Sequence, residues 1–380
     1  EVSKQIFGLY WLKQGWEDLK QYSLHFDLTV PLARYVVDNE NELKFPFKRY
    51  QIQKVWRGER QQKWRFKEFT QADIDVIWSN LSLNYDSEVI LTLYSALKDI
   101  FEFLNIEKKA EVHFNNKKFI EWICVKYSIL DENRLKFFNL LDNFYKIETT
   151  QFDEKLKEIV WVNFLDISTI LKTQIMDLDD TQSGVLELKQ VYNSLKNKWV
   201  NVVFDPYITR GLDYYTGTVF ETFIENFMNF WSICSGWRYD NLVNDVRSVA
   251  NGGKVVTAAK NYMWVWGSIG LSRLFARLFE WGFIDVKLPL VDAIIFNTWG
   301  ITDFAWEIAD LLRNNWFSTD IYYDDEKLGK QFTYAESKNI TFWIFAWVEE
   351  QKNSEVVVKN LLLRTQENVK VSDLIEYLRK

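Results

Sequence analysis

Residues 210–221 read Arg-Gly-Leu-Asp-Tyr-Tyr-Thr-Gly-Thr-Val-Phe-Glu. The segment opens as a loop at Arg210-Gly211, holds two adjacent tyrosines, and closes as an alternating strand. Thr218 and Phe220 face one way and Val219 and Glu221 the other. An Arg, an Asp and paired Tyr at a strand entrance supply a fixed cation and hydrogen-bonding phenols, which suits a small polar ligand carrying an anionic group. The alternative is a half-buried strand with ordinary surface tyrosines, and the rest of the chain decides between the two.

Working outward, residues 44–67 hold nine Lys/Arg against one acidic residue, Glu59, in a chain whose net charge is −7. Residues 50–56 alternate as a strand, 57–63 form a polar loop, and 65–77 return as a strand with Gln71, Asp73 and Asp75 on one face. Such a hairpin can hold a triphosphate at its basic loop and an amine on its return strand. A solvated basic hairpin is the plainer reading, and the density of the run in an acidic protein argues against it. Upstream, Asp27 and Thr29 precede a helix with Pro31 near its start. They suit an ammonium, although capping is the commoner use of such residues. Downstream, Gly267-Ser268-Ile269-Gly270-Leu271-Ser272-Arg273-Leu274 reads as a strand-to-helix turn with an Arg in the first helical turn.

The remaining pattern sets the organisation. Residues 85–108 are helical, with Val89, Ile90, Leu93, Leu97, Phe101 and Leu104 recurring at three and four. Residues 111–114 form a strand, and 119–198 alternate with helical periodicity and no chemical motif, as expected of a helical insertion domain. Residues 1–118 and 199–287 are then the two parts of one catalytic domain, and 290–380 a small domain of β-α-β-α-β pattern. Residues 291–380 contain ten Lys/Arg and fifteen Asp/Glu, so charge alone carries no nucleic-acid argument there. The length of 380 residues suits two or three domains, and 48% hydrophobic with 26% charged residues is ordinary for a globular protein. Two cysteines far apart in sequence form no disulfide framework and fit a reducing cytoplasm. No apolar run reaches the ~18–20 residues of a membrane span, and the first residues lack the apolar core of a signal peptide.

Together these segments resemble the histidyl-tRNA synthetases, a class II aminoacyl-tRNA synthetase family. Residues 22–34 resemble the family's amino-acid-binding motif, 56–75 class II motif 2, 210–221 the family's own signature, 236–240 its glycine-rich substrate loop, and 267–274 motif 3. The match covers nearly the whole chain, in the family's order. It implies an α+β class II catalytic domain (antiparallel sheet with helices), a helical insertion, a C-terminal α/β anticodon-binding domain and a homodimer. The implied reaction is activation of histidine with ATP to histidyl-adenylate and its transfer to tRNA(His), with Mg²⁺ on the ATP phosphates. By the same resemblance Arg57, Arg210 and Arg273 are catalytic. Arg57, Glu59, Arg65 and Arg273 bind ATP. Asp27, Thr29, Gln71, Asp75, Arg210, Tyr214, Tyr215 and Tyr239 bind histidine. No protein-held metal is implied. The other readings are a non-aminoacylating paralogue, such as the regulatory subunit of ATP phosphoribosyltransferase, and a pseudoenzyme. Arg57, Arg210, Arg273 and the anticodon-like domain argue against the first, and Trp237, if it is a true tryptophan, favours the second.

Several positions depart from the family pattern. A family segment of about 60–70 residues that includes motif 1 is expected ahead of residue 1. His25 stands where an Arg is usual, and Gln61 where a Pro is. The largest departure is tryptophan: 18 Trp against 14 Gly, where glycine ordinarily makes up about 7% of a chain. Trp64, Trp237 and Trp266 stand at family glycine positions, and Trp11, Trp16, Trp78, Trp122, Trp199, Trp231 and Trp343 look the same, whereas Trp56 is expected. The pattern is that of a message in which UGA encodes glycine but is read as tryptophan. With every tryptophan but Trp56 read as glycine, the glycine content becomes about 8%, near the usual value. The alternative is a degenerate paralogue with a blocked pocket.

Overall fold

The computed structural model describes the chain except for residues 1, 10–21, 61–62, 64, 210–214, 226–231, 251–259, 285–289, 297–301, 325 and 380. It divides into two compact units, Glu1–Ile284 and Asp285–Lys380.

The first unit runs β1 (Gly8–Leu9), β2 (Tyr22–Ser23), α1 (Thr29–Asn39), β3 (Phe47–Trp56), β4 (Glu68–Trp78), α2 (Asn84–Phe103) and β5 (Ala110–Asn116). Five helices follow, α3 (Lys117–Lys126), α4 (Asp131–Asp142), α5 (Thr149–Val160), α6 (Phe164–Lys172) and α7 (Val185–Lys196). The chain then returns through β6 (Val202–Phe204), β7 (Thr218–Ile224), β8 (Cys234–Tyr239), α8 (Leu242–Ala250), β9 (Met263–Gly270) and α9 (Leu271–Glu280). Seven strands make one sheet in the order β3-β4-β9-β8-β7-β5-β6, antiparallel throughout except for the β5/β6 edge pair.

One face of this sheet is covered by α2. Its residues Val89, Ile90, Leu93, Leu97 and Phe101 fall on one stripe and are all buried, each such side chain stabilising by roughly 1.5–3 kcal/mol when fully buried. The same apolar cluster continues through α3–α7, taking in Phe119, Phe137, Leu156, Leu171 and Leu188. The opposite face carries the polar rows described below. The helix α3 starts on Asn116, whose side chain accepts the Lys118 N–H at 3.0 Å, as an N-cap does.

Residues 236–240 are expected to form a glycine-rich loop, but they lie in or directly after β8, a central strand. The reason is pairing on both sides: Gly236 is opposite Phe220 on β7 and Gly267 on β9. Gly236 and Gly267 both face Phe220, and a Cβ on Gly267 would also meet Leu93 and Val89 of α2. Glycine here lets a ring and a helix pack close to the sheet rather than making a turn.

The second unit contains β10 (Ala293–Phe296), α10 (Thr302–Asn314), β11 (Thr319–Tyr322), α11 (Leu328–Ser337), β12 (Phe342–Phe345), α12 (Val348–Asn353), β13 (Glu355–Asn360), β14 (Thr365–Lys370) and α13 (Leu374–Leu378). Its sheet order is β11-β10-β12-β13-β14, with β10 parallel to β11 and β12 and the last two pairings antiparallel. The strand β10 is buried along its whole length, as a central parallel strand must be. The β13/β14 hairpin and α12 are absent from the β-α-β-α-β expectation, which passes over residues 349–372. β14 exposes all but Val369, so its alternation is faint.

Candidate active site

The hairpin β3/β4 supplies the first wall. Its register pairs Trp56 with Glu68 and Gln53 with Gln71, leaving residues 57–67 as the loop. Arg57 leaves the strand end and is held rigidly. Its Nε donates to the Phe26 carbonyl at 3.1 Å, and its guanidinium carbon lies 4.7 Å from the Phe26 ring centre and 5.1 Å from that of Phe69. Burial lowers its pKa, while Asp27, Glu59 and Asp73 pull the other way. An arginine so placed stays charged and is already dehydrated, as an anion-binding group should be. Glu59 and Arg65 face each other across the loop at 3.3 Å.

The second wall is the β9–α9 junction. Ser268 and Gly270 lie on β9, and Arg273 lies in the first turn of α9, where its Nη1 donates to the Ser232 carbonyl at 3.2 Å. Arg57, Glu59, Arg65, Phe69, Gln71 and Arg273 line one cavity of about 260 Å³, together with Ser232, Ser235, Ser268, Trp237 and Trp266. Gln71 is buried, with Nε2 donating to Ser268 Oγ at 3.1 Å and Oε1 lacking a hydrogen-bond partner. That oxygen is an acceptor ready for an ammonium.

Register explains how the floor is built. Gln51, Asp73, Ser268, Ser235, Glu221 and His113 are paired in succession across six strands, so they form one polar row on the cleft face. One step along the strands, Arg49, Asp75, Trp266 and Trp237 form the next row. Asp75 lies outside the cavity lining. It is sealed from solvent, with Arg49 Nε at 2.9 Å and the Trp264 indole N–H donating to it at 2.8 Å. Burial pushes its pKa up to about 8 against the pull of Arg49. Asp73 receives the Trp266 indole N–H at 2.9 Å, and burial raises its pKa too.

The remaining predicted residues fall around this cavity. Asp27 Oδ1 accepts the N–H groups of Thr29 and Val30 at 3.1 and 3.0 Å, which is a helix-capping role. Thr29 is buried, and its hydroxyl contacts that of Tyr239. Tyr215 and Tyr239 are buried, and burial raises both phenol pKa values, so both remain protonated donors. Trp237 packs against the cluster of Ile208, Tyr215, Val219 and Phe223 and meets the ring of Tyr239 edge-on at 6.0 Å. Arg210 and Tyr214 lie outside the described residues, as do Gln61 and Trp64. His25 is exposed, with Nδ1 3.1 Å from Gln53 Nε2.

Sequence reasoning passed over Phe69, Ser232, Ser235 and Ser268, which line the cavity. It also passed over Arg238, which ties β8 to α2 through Asp86 at 2.7 Å and to the segment before α2 through the Leu81 carbonyl at 2.7 Å. No group of three or more His, Cys, Asp or Glu side chains able to hold a metal ion occurs among the described residues.

This arrangement of hairpin, antiparallel floor and arginine-bearing helix has relatives. A family model described as histidyl-tRNA synthetase matches residues 16–253, and one described as an anticodon binding domain matches residues 291–380. The chain is 37% identical to the histidine–tRNA ligase of Finegoldia magna over 401 aligned positions, covering all of this chain and 87% of that one. The chain belongs to the histidyl-tRNA synthetase family. A second relative, the histidine–tRNA ligase of Clostridium tetani, is 34% identical, with all of this chain and 86% of that one covered. Among solved structures, the histidyl-tRNA synthetase of Nostoc sp. PCC 7120 superposes with a TM-score of 0.73 at 29% identity, covering 98% of this chain and 86% of that one. An ATP phosphoribosyltransferase regulatory subunit/histidyl-tRNA synthetase from Bacillus halodurans shares the fold, with a TM-score of 0.66 at 18% identity over 91% of this chain and 84% of that one. The first unit therefore carries the class II synthetase catalytic fold of the family, and the second its anticodon-binding domain.

Proposed function

We propose that the chain acts as a histidine–tRNA ligase. A carboxylate oxygen of histidine attacks the α-phosphorus of ATP and pyrophosphate leaves. A ribose hydroxyl at the 3′ end of tRNA(His) then attacks the acyl carbon and AMP leaves. The single observation that carries this reading is the cavity lined jointly by Arg57, Arg273 and Gln71. Two fixed guanidinium groups face one space whose floor offers an unpaired amide oxygen, a combination suited to a polyphosphate and an ammonium together.

In this reading Arg57 holds the α-phosphate where charge redistributes in the transition state. Arg210 acts on the same phosphate, and Arg273, with Glu59 and Arg65, binds the nucleotide. Asp27, Thr29 and Gln71 receive the histidine ammonium. Tyr214, Tyr215 and Tyr239 read the imidazole, and Asp75 supports them from β4. A site built to hydrogen-bond a polar side chain discriminates strongly without editing. Mg²⁺ enters with the nucleotide as MgATP, mainly on phosphate oxygens. Glu59 is the one carboxylate among the described residues lining the cavity, which fits an ion borne by substrate. The protein works as a homodimer in the cytoplasm. The exposed Tyr50 and Ile52 on the outer face of β3 support a covered surface there, and two buried, unpaired thiols suit a reducing compartment. No helix among the described residues is long and apolar enough to cross a membrane.

Histidine-dependent exchange of pyrophosphate into ATP, followed by acylation of tRNA(His), tests the reading. Exchange driven equally by all amino acids, or by none in a folded protein that binds histidine and ATP, defeats it.

A further inference from the structure

The tryptophan excess has a structural signature at helix ends. Six helix ends in the described residues close with the same cap. In each, a residue two or three places beyond the helix end takes a positive φ, its N–H bonds three residues back, and the next N–H bonds five residues back. The positive-φ residue is Asn105, Ser128, Trp199, Gly282, Trp316 or Asn339. Gly282 is the residue type this cap favours, and Asn is the accepted substitute. Trp199, at φ 60°, and Trp316, at φ 70°, share the geometry but not the chemistry. A bulky side chain at positive φ is a genuine outlier. Neither indole gains anything from packing, since Trp199 is 92% and Trp316 94% exposed. Trp343 is the opposite case: its buried ring lies 5.1 Å from that of Phe332, and its N–H donates to the Ile340 carbonyl.

The same residue type fills the cleft. Trp237 and Trp266 are paired across β8 and β9 with ring centres 4.6 Å apart. Trp237 packs on the buried cluster that contains Tyr215 and meets the Tyr239 ring, and Trp266 occupies the Asp73 carboxylate with its own N–H. The cavity left over, about 260 Å³, is below the roughly 300–1,000 Å³ of ordinary small-ligand pockets, and here a nucleotide and an amino acid must share it. Two indoles stand where a ligand ring and a ligand N–H would be received.

We infer that the working protein carries glycine at positions 199, 237, 266 and 316, and that Trp237 and Trp266 are the specificity-determining positions. As tryptophan they plug the amino-acid end of the cleft; as glycine they open it to a heteroaromatic amino acid with N–H groups. The second half rests on the synthetase reading given above. The first half does not, because it rests on helix-end geometry and no residue of the caps at 199 and 316 lines the cavity.

The test compares the full chain with two double variants, W199G/W316G and W237G/W266G, and with W199A/W316A. Thermal melting reads the caps, and calorimetry with histidine and, separately, with ATP reads the cleft. W199G/W316G raises the melting temperature by several degrees, at roughly 2–4 °C per kcal/mol of strain released. W199A/W316A, which removes the indole but keeps a Cβ at positive φ, gains less. Equal melting of the glycine and alanine variants overturns the cap argument. W237G/W266G binds histidine, and the unaltered chain shows no binding at millimolar histidine. Equal histidine binding by both overturns the plug while leaving the synthetase reading intact. ATP binding without histidine binding in the folded W237G/W266G protein also overturns the plug. Loss of both ligands in a folded variant removes the synthetase reading as well. Peptide mass spectrometry of the protein made in its own cells closes the question of identity: tryptophan at 199, 237, 266 and 316 overturns the inference.

Discussion

The two faces of the catalytic sheet meet opposite demands one residue apart. At Gly236 and Gly267 the sheet faces Phe220, with α2 beyond it, and a side chain has no room. At Trp237 and Trp266 it faces the cleft, and two indoles fill space that a ligand needs. On the helix face, absence of a side chain is a packing requirement that the chain itself meets. On the cleft face it would be a binding requirement, and nothing in the folding of the unit enforces it. A change of residue type is thus tolerated by the fold on one face and fatal on the other. That asymmetry explains how a chain can keep its family's fold while two indoles occupy part of its cleft.

The largest expected effect is on the helix face. Gly236→Ala puts a methyl 2.6 Å from the Phe220 ring and against the paired backbone of β9. Backbone cannot yield as a flexible side chain can, so the cost exceeds the about 1–3 kcal/mol of ordinary overpacking. Urea titration should show this loss, and a variant melting like its parent would break the contrast between the faces. On the cleft face the largest effect is chemical. In a chain opened at 237 and 266, Arg57→Gln should lower histidine-dependent pyrophosphate exchange by about 10²–10³-fold, with little change in melting temperature. A matching loss of stability would move Arg57 from the chemistry to the fold.

A smaller effect separates the ends of the polar row. His113 ends the row on β5, its Nδ1 2.7 Å from Asp205 Oδ2 and its Nε2 2.8 Å from Glu111 Oε1, with the Tyr145 hydroxyl also donating to Asp205. Burial pulls the imidazole pKa down, but the hydrogen bonds and charges of Asp205 and then Glu111 outweigh it, so it stands above the ordinary value. Raised in the folded state, it contributes stability that is complete below the ordinary histidine pKa, near 6.5. That contribution is lost as pH rises through the higher folded value. Denaturant titrations across that window should fall with pH, and His113→Gln should flatten the fall. Parallel pH profiles for parent and variant would show that the imidazole is neutral and that this corner is held by neutral hydrogen bonds.

Much of this was readable from local pattern. Alternation located β3 and β4, and three- and four-residue spacing located α2, because each reports only which side of its own element is buried; β7, buried on both faces, was read as a half-buried strand. The cleft floor was not readable. Asp73, Ser268 and Ser235 become neighbours through the register of three strands, and Arg238 meets Asp86 across 152 residues of sequence. No local pattern carries such pairings. Residues 236–240 misled for a different reason. Glycine beside a strand is ordinarily read as a turn, and only the position of Phe220 and α2 shows that it permits close packing instead.

The smallest effect is the cleanest test of whether a residue type matches its backbone, because it sits far from any packing argument. Trp316 follows α10 at φ 70°, its N–H bonded to the Arg313 carbonyl at 3.1 Å, and the Phe317 N–H bonded to the Leu312 carbonyl at 3.1 Å. At 94% exposure its indole has almost no buried surface to lose. Left-handed backbone costs a residue with a Cβ about 1–2 kcal/mol. Trp316→Gly removes that strain but frees the unfolded chain, an entropic loss of roughly 0.5–1 kcal/mol, so the net gain is of the order of 1 kcal/mol. Trp316→Ala keeps the strain and should be nearly neutral. The sign of the difference between these two substitutions is therefore the observable. Glycine more stable than alanine means the cap is built for a residue without a Cβ, as at Gly282. Alanine equal to or above glycine means that the cap has adapted to its side chain, and that a tryptophan is at home in it.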